Sequence, residues 1–176
     1  MLPAQNPEPS LPHSYNPVLK RMNLLKIIFR SPRPAAVNDM RAEVSRLWRR
    51  KGYTAMTVFG RIFTSEQAVA DHLNRRNDAL KNHEMIHLRQ AQSTGNSWFR
   101  FYFLYFWHSL LALRYWRKVK NAVYYLNPFE MEAYAHQHDL HYLDRCGDRG
   151  ASEWRTFARM KLSQRKDFIE SHCIGQ

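Results

Sequence analysis

His83, Glu84 and His87 stand in the order His-Glu-Met-Ile-His, and these residue types at this spacing suit one kind of chemistry. Histidines four apart on a helix lie on the same face, one turn from each other, where two ring nitrogens can bind one Zn²⁺. A glutamate next to the first histidine projects close to that metal and can take a proton from a water held there. A catalytic zinc needs three protein ligands and one open position, so a third ligand must come from elsewhere in the chain. The downstream candidates are Glu130, Glu132, His136, His138, Asp139 and His141.

Two helices must position these groups. Asn77 or Asp78 can cap a helix that runs to about Ser93, with Gly95 as its stop. Leu80, His83, Glu84, His87 and Ala91 share one face of it. Asn127-Pro128-Phe129-Glu130 reads as a second helix start, with Asn127 as cap, Pro128 at the first helical position and Glu130 completing a capping box. That helix is expected to continue to about Arg145, before Gly147. On this reading Glu130 folds back over its own helix terminus, whereas Glu132 has no such task. Glu132 shares a face with Ala135, His136 and Asp139 at spacings of three, four and seven. The expected zinc ligands are therefore His83, His87 and Glu132, with Glu84 as general base and Glu130 in support. His136 and Asp139 are expected beside the ligands or near the transition state, and Tyr134, His136 or Tyr125 as donors to a developing oxyanion. His138 and His141 fall on another face, with ordinary surface or packing roles.

His83-Glu84-Met85-Ile86-His87, followed after Gln90 and a long gap by Phe129-Glu130-Met131-Glu132-Ala133-Tyr134-Ala135, resembles the gluzincin branch of zincin metallopeptidases. It resembles more specifically small bacterial zincin-like proteins with a strand, then HExIHxxQ, an aromatic helix and FExEAYA. The likeness covers roughly residues 52 to 145, with Thr57 to Thr64 as the strand. It implies a zinc-dependent peptidase that cleaves a peptide or protein substrate, with the third ligand a glutamate on the helix after the motif helix. Many gluzincins carry an aspartate four residues after that glutamate, where it orients a ligand histidine; this chain has His136 there. The strand could hold an extended peptide by edge pairing.

The remaining chain frames this core. Residues 1–17 hold five prolines and few large apolar groups, which predicts a disordered tail. Residues 18–36 form a basic N-terminal segment, amphipathic over 18–30. One domain is expected over 37–170, with a short tail at 171–176. Met40, Val44, Leu47 and Trp48 recur at helical spacing, which predicts a helix from Asn38 to about Lys51. Tyr53 to Phe63 reads as strand or hairpin with a bend at Gly60. Thr64 and Gln67 suggest a capping box for a helix through Leu73. Residues 97–120 are the most apolar, and their aromatic girth suits a helix buried at the centre of a bundle or one lying at a membrane interface; the buried helix is the expectation. A last helix is expected from Ser152 to Ile169. The fold class is mainly α with a small β element.

With 176 residues, 44% hydrophobic and 14% aromatic, the chain can bury a core. Its formal net charge of +12 favours polyanions, either nucleic acid or an anionic membrane face. Cys146 and Cys173 make neither a disulfide framework nor a cysteine zinc site, and read as free thiols in a reducing compartment. The uncharged run from Phe101 to Leu113 is too short to span a bilayer, which needs about 20 residues. No signal peptide is evident at 22–29. The expectation is a cytoplasmic protein, with peripheral contact at the inner membrane face.

Overall fold

The computed structural model describes residues 31–37, 41–45, 55–76 and 78–172. The tail at 1–17, the amphipathic stretch at 18–30, both ends of the helix expected over 38–51, and Cys173 lie outside the described residues.

Three short strands come first: β1 (Ala42–Val44), β2 (Ala55–Val58) and β3 (Arg61–Thr64). They form one sheet in the order β1-β3-β2. β2 and β3 are a hairpin, with Thr57 opposite Ile62 and Val58 opposite Arg61. Its two-residue turn, Phe59-Gly60, has both φ angles positive, the turn whose twist matches paired strands. β1 runs parallel to β3, with Ala42 opposite Ile62. Residues 42–44 thus correct the helix expected there. Pairing with β3 outweighs the local pattern, and Asn74 secures it: Ala42 N donates to Asn74 Oδ1 at 2.8 Å and Asn74 Nδ2 returns to Ala42 O at 3.1 Å.

The described chain after the sheet is mainly helical, as the fold class expected from the sequence has it. The first is α1 (Gln67–Arg75). Its cap is Glu66 with no side-chain hydrogen bond, and Thr64 Oγ1 donates instead to Glu66 O, so the expected capping box does not form. The motif helix α2 (Ala79–Ser93) starts where Asp78 accepts from Lys81 N and ends ahead of Gly95, at φ +82°. The aromatic helix α3 (Trp98–Ala112) is capped by Ser97. A one-turn helix, α4 (Ala122–Tyr125), leads to α5 (Pro128–His136), then α6 (Tyr142–Cys146), α7 (Trp154–Arg159) and α8 (Leu162–His172).

The helix expected over 127–145 is therefore two pieces. Asn82 Nδ2, one residue before the motif, reaches the carbonyls of His136, Gln137 and Asp139 at 3.0 to 3.1 Å. His136 O and Asp139 O also accept the backbone N–H groups of Asp139 and Tyr142, so the chain turns after α5 and Asn82 ties that turn to α2. The last helix likewise divides at Met160-Lys161 and extends into the tail expected at 171–176. The core joins the sheet to α2, α3 and α5 through Ile62, Leu73, Leu88, Phe101 and Phe129. The aromatic helix is buried on one side only, through Trp98, Phe101, Ser109 and Ala112, where a helix at the centre of a bundle was the expectation. Among the described residues no helix is long and apolar enough to cross a membrane.

Candidate metal centre

His83 and His87 sit one turn apart on α2 with their Nε2 atoms 3.2 Å from each other and their rings nearly perpendicular. Facing them from the first turn of α5 is Glu130. Its Oε2 lies 3.4 Å from His83 Nε2, and its Oε1 lies 3.4 Å from His87 Nε2. One ligand atom from each of the three falls within 4.8 Å of the others, and all three residues are buried. Glu130 Oε2 is buried and accepts no hydrogen bond among the described residues. Two imidazole nitrogens and a carboxylate that converge in a buried group could hold a metal ion between them. The donor set, two imidazoles and one carboxylate, is one that Zn²⁺ takes.

The geometry corrects the expected third ligand, because Glu130 and not Glu132 meets the histidines. Glu130 has no capping task here. The backbone N–H of Asn127, which a capping-box glutamate would serve, donates to Tyr124 O at 3.0 Å, and Asn127 Oδ1 accepts from Phe129 N. Glu130 is held instead by the Tyr105 hydroxyl, which donates to Oε1 at 2.7 Å. Glu132 points the other way and is fully buried. It accepts from Tyr142 Oη at 2.6 Å, Glu153 N at 2.7 Å and Gln90 Nε2 at 2.8 Å. Gly150 permits this approach: a Cβ there would lie 2.3 Å from Arg89 O, so only glycine lets the 150–153 turn reach Glu132.

Glu132 still serves the centre, at one remove. Gln90 gives its amide N–H groups to Glu132 Oε2 and to Phe129 O, which fixes which way the amide faces. Gln90 Oε1 is then the acceptor for His87 Nδ1 at 2.8 Å. In the neutral ring Nδ1 therefore carries the proton, and the Nε2 lone pair is turned toward His83 and Glu130. Glu132 thus acts on His87 through Gln90.

Charge follows the same arrangement. Burial pushes the His87 imidazole down, but Glu130 beside it, aided by Glu84 and Gln90, more than reverses this and raises its pKa to about 9. Burial likewise opposes charge on Glu130, and the two histidines overcome it and hold its carboxyl below the usual carboxylate range. Without a metal, the space between them suits a proton. Burial raises the Glu132 carboxyl despite the hydrogen bonds it accepts.

Glu84 is buried beside this group, and its Oε2 accepts a short hydrogen bond from Thr57 Oγ1 on β2. The strand thereby aims the expected base. Tyr134 stands edge-on to His83 with ring centroids 4.8 Å apart, and its hydroxyl donates to that of Tyr124 at 3.4 Å. Burial, then Glu130 and Tyr134, push the Tyr124 hydroxyl well above the ordinary tyrosine value. Tyr125 packs against Tyr134.

His136 and Asp139 are not brought to the centre. His136 stacks on Tyr142 at 3.8 Å, and its Nε2 pairs with Glu153 Oε2 at 2.6 Å. Asp139 lies beyond the end of α5, where the spacing-of-seven argument no longer applies, and pairs with Arg145. His138 and His141 are exposed. Thr57, Tyr105 and Tyr124 were not singled out for the site from the sequence. Nothing in their local pattern marks them, because each acts across a tertiary contact. No family model matches the chain, and no curated protein and no solved structure matches it.

Proposed function

We propose that this chain is a zinc-dependent hydrolase of peptide bonds in which His83, His87 and Glu130 hold the metal. The observation that carries the reading is the convergence of the two motif histidines and Glu130 beside a buried, oriented Glu84. Zinc held there would supply a Lewis acid that polarises a carbonyl and acidifies a water. Glu84 takes a proton at its carboxylate and returns it to the leaving amine, and Thr57 keeps that carboxylate in place. Gln90 holds the His87 tautomer. The Tyr134 ring stands edge-on to His83, and its hydroxyl or that of Tyr124 would donate to a developing oxyanion.

The β2 edge offers a peptide its backbone at Ala55, because Met56 faces β3 and the Tyr102 hydroxyl already takes Thr57 O at 3.3 Å. The cytoplasm suits the free, half-buried Cys146 thiol.

The burial of all three ligands favours a second reading, a metal that holds α2 to α5 without catalysis. A Glu84→Gln variant separates the two. Under the hydrolase reading it keeps one zinc per chain and loses cleavage of a peptide library. A wild-type protein that binds zinc and cleaves no member of that library is the outcome for the structural metal.

A further inference from the structure

The aromatic helix leaves one face without a partner among the described residues. Phe99, Phe103, Phe106, Trp107, Leu110 and Leu113 are all exposed, Phe99 at 79% and Phe106 at 63%. Their successive spacings of four, three, one, three and three put them in one stripe along α3 and the turn after it. Trp116 continues the stripe at 63% exposure. Isolated exposed apolar residues are ordinary, but a contiguous row of large rings marks an interaction surface.

Charge says what that surface meets. From Met85 to Phe129 the chain has no Asp or Glu. Arg100 stands exposed at one end of the stripe, and Arg114, Arg117, Lys118 and Lys120 at the other. The Arg117 guanidinium lies over the Trp116 ring at 5.0 Å. Cations are absent from the middle of the stripe, between Phe101 and Leu113, where the apolar rings are densest. Nucleic acid is better served by cations interleaved with aromatics along a strand. Rings in the middle with cations at both ends suit a bilayer, where Phe and Leu enter the acyl boundary, Trp lies at headgroup level and Lys and Arg meet anionic lipid. Phe99 and Phe103 also line a groove of about 590 Å³ with Leu104, Trp154, Arg100 and Arg155, closed by the polar turn Ser93-Thr94-Gly95.

We infer that the exposed stripe of α3, with the cations at its two ends, seats the protein on the surface of a membrane containing anionic lipid. This docking is independent of whether the metal centre hydrolyses anything. The stripe lies on the side of α3 opposite Phe101, which belongs to the shared core and stands 6.4 Å from the His87 ring, so a docked molecule keeps its metal centre off the lipid.

The test uses the full chain and unilamellar vesicles of phosphatidylcholine with 30% phosphatidylglycerol, against phosphatidylcholine alone, in 150 mM KCl, where purely electrostatic attraction is largely screened. The wild type is expected to float with the anionic vesicles, and the double variant Phe106→Ser, Trp107→Ser to bind at least tenfold more weakly. Both residues are exposed, so the variant should melt near the wild-type temperature. Lipids brominated in the acyl chain supply a readout that needs no variant: tryptophan fluorescence of the wild type is quenched if Trp107 and Trp116 reach the bilayer. Absence of flotation at this salt overturns the inference, as does flotation unchanged in the double variant. So does a wild-type dimer in size-exclusion chromatography that the double variant dissolves, since a second copy then covers the stripe. Binding of a single-stranded oligonucleotide at this salt without vesicle binding also overturns it.

Discussion

Replacing Glu132 separates a ligand from the network behind the ligands. In the Glu132→Ala variant the Tyr142 hydroxyl, the Glu153 N–H and one Gln90 N–H lose their acceptor inside the protein. A buried donor left unsatisfied costs about 1–3 kcal/mol, and removal of a carboxylate that burial itself disfavours returns part of that. A net loss of about 3–5 kcal/mol is a large fraction of the roughly 5–15 kcal/mol that a domain has, and corresponds to a melting point lower by about 10–15 °C. The milder Glu132→Gln variant keeps one acceptor oxygen. It should melt only a few degrees low and bind one zinc about 10–100-fold more weakly, the usual size of effects from groups that orient a ligand. Glu130→Gln should lose stoichiometric zinc while remaining folded. Differential scanning calorimetry and metal analysis of the gel-filtered proteins give both readouts on one sample. The reasoning fails if Glu132→Gln melts like the wild type but carries no zinc, with Glu130→Gln fully loaded.

Four other outcomes follow from the same structure. Zinc must displace a proton from His87, whose pKa is about 9, so zinc affinity should rise about tenfold per pH unit from about 6.5 toward 9; isothermal titration in buffers of different ionisation heat should show about one proton released at pH 7, and none released would refute it. In the metal-free protein the sign reverses: the raised His87 pKa stabilises the fold fully below about 6.5 and ceases to as pH rises through 9, so melts in chelator should fall over that interval more steeply for wild type than for His87→Gln. Thr57→Val removes the hydroxyl that holds Glu84 and should cut peptide cleavage about tenfold or more with zinc content unchanged; equal turnover would refute the positioning role. Gly150→Ala places a methyl group against the Arg89 carbonyl at φ +71° and should cost about 3–5 kcal/mol in thermal unfolding; a change under about 1 kcal/mol would contradict the close approach.

What the sequence made legible was local. Asp78 and Gly95 bound the motif helix because capping residues act within a turn of where they stand. Gly60 marked the hairpin for the same reason. What stayed hidden depends on distant partners. Residues 42–44 have a helical pattern and become a strand only through β3 and Asn74. Glu130 and Glu132 are two apart on one helix and face different directions, so the choice between them is set by how α5 is rotated against α2. The capping-box argument decided it wrongly because it could not see Tyr124 O occupying the N–H of Asn127. Asp139 was placed on the Glu132 face by a period that the turn after α5 interrupts. The aromatic stretch reads in sequence as a core helix or an interfacial one, and only the fold shows that one face of it stays exposed.

The central claim is that His83, His87 and Glu130 form one zinc site. The most direct measurement is anomalous diffraction at the zinc edge from crystals of the zinc-loaded full chain. The account predicts one peak with His83 Nε2, His87 Nε2 and a Glu130 carboxylate oxygen at about 2.0–2.2 Å, with a fourth position left open by the protein. No peak between α2 and α5, or a peak ligated by Glu132 in place of Glu130, would contradict it.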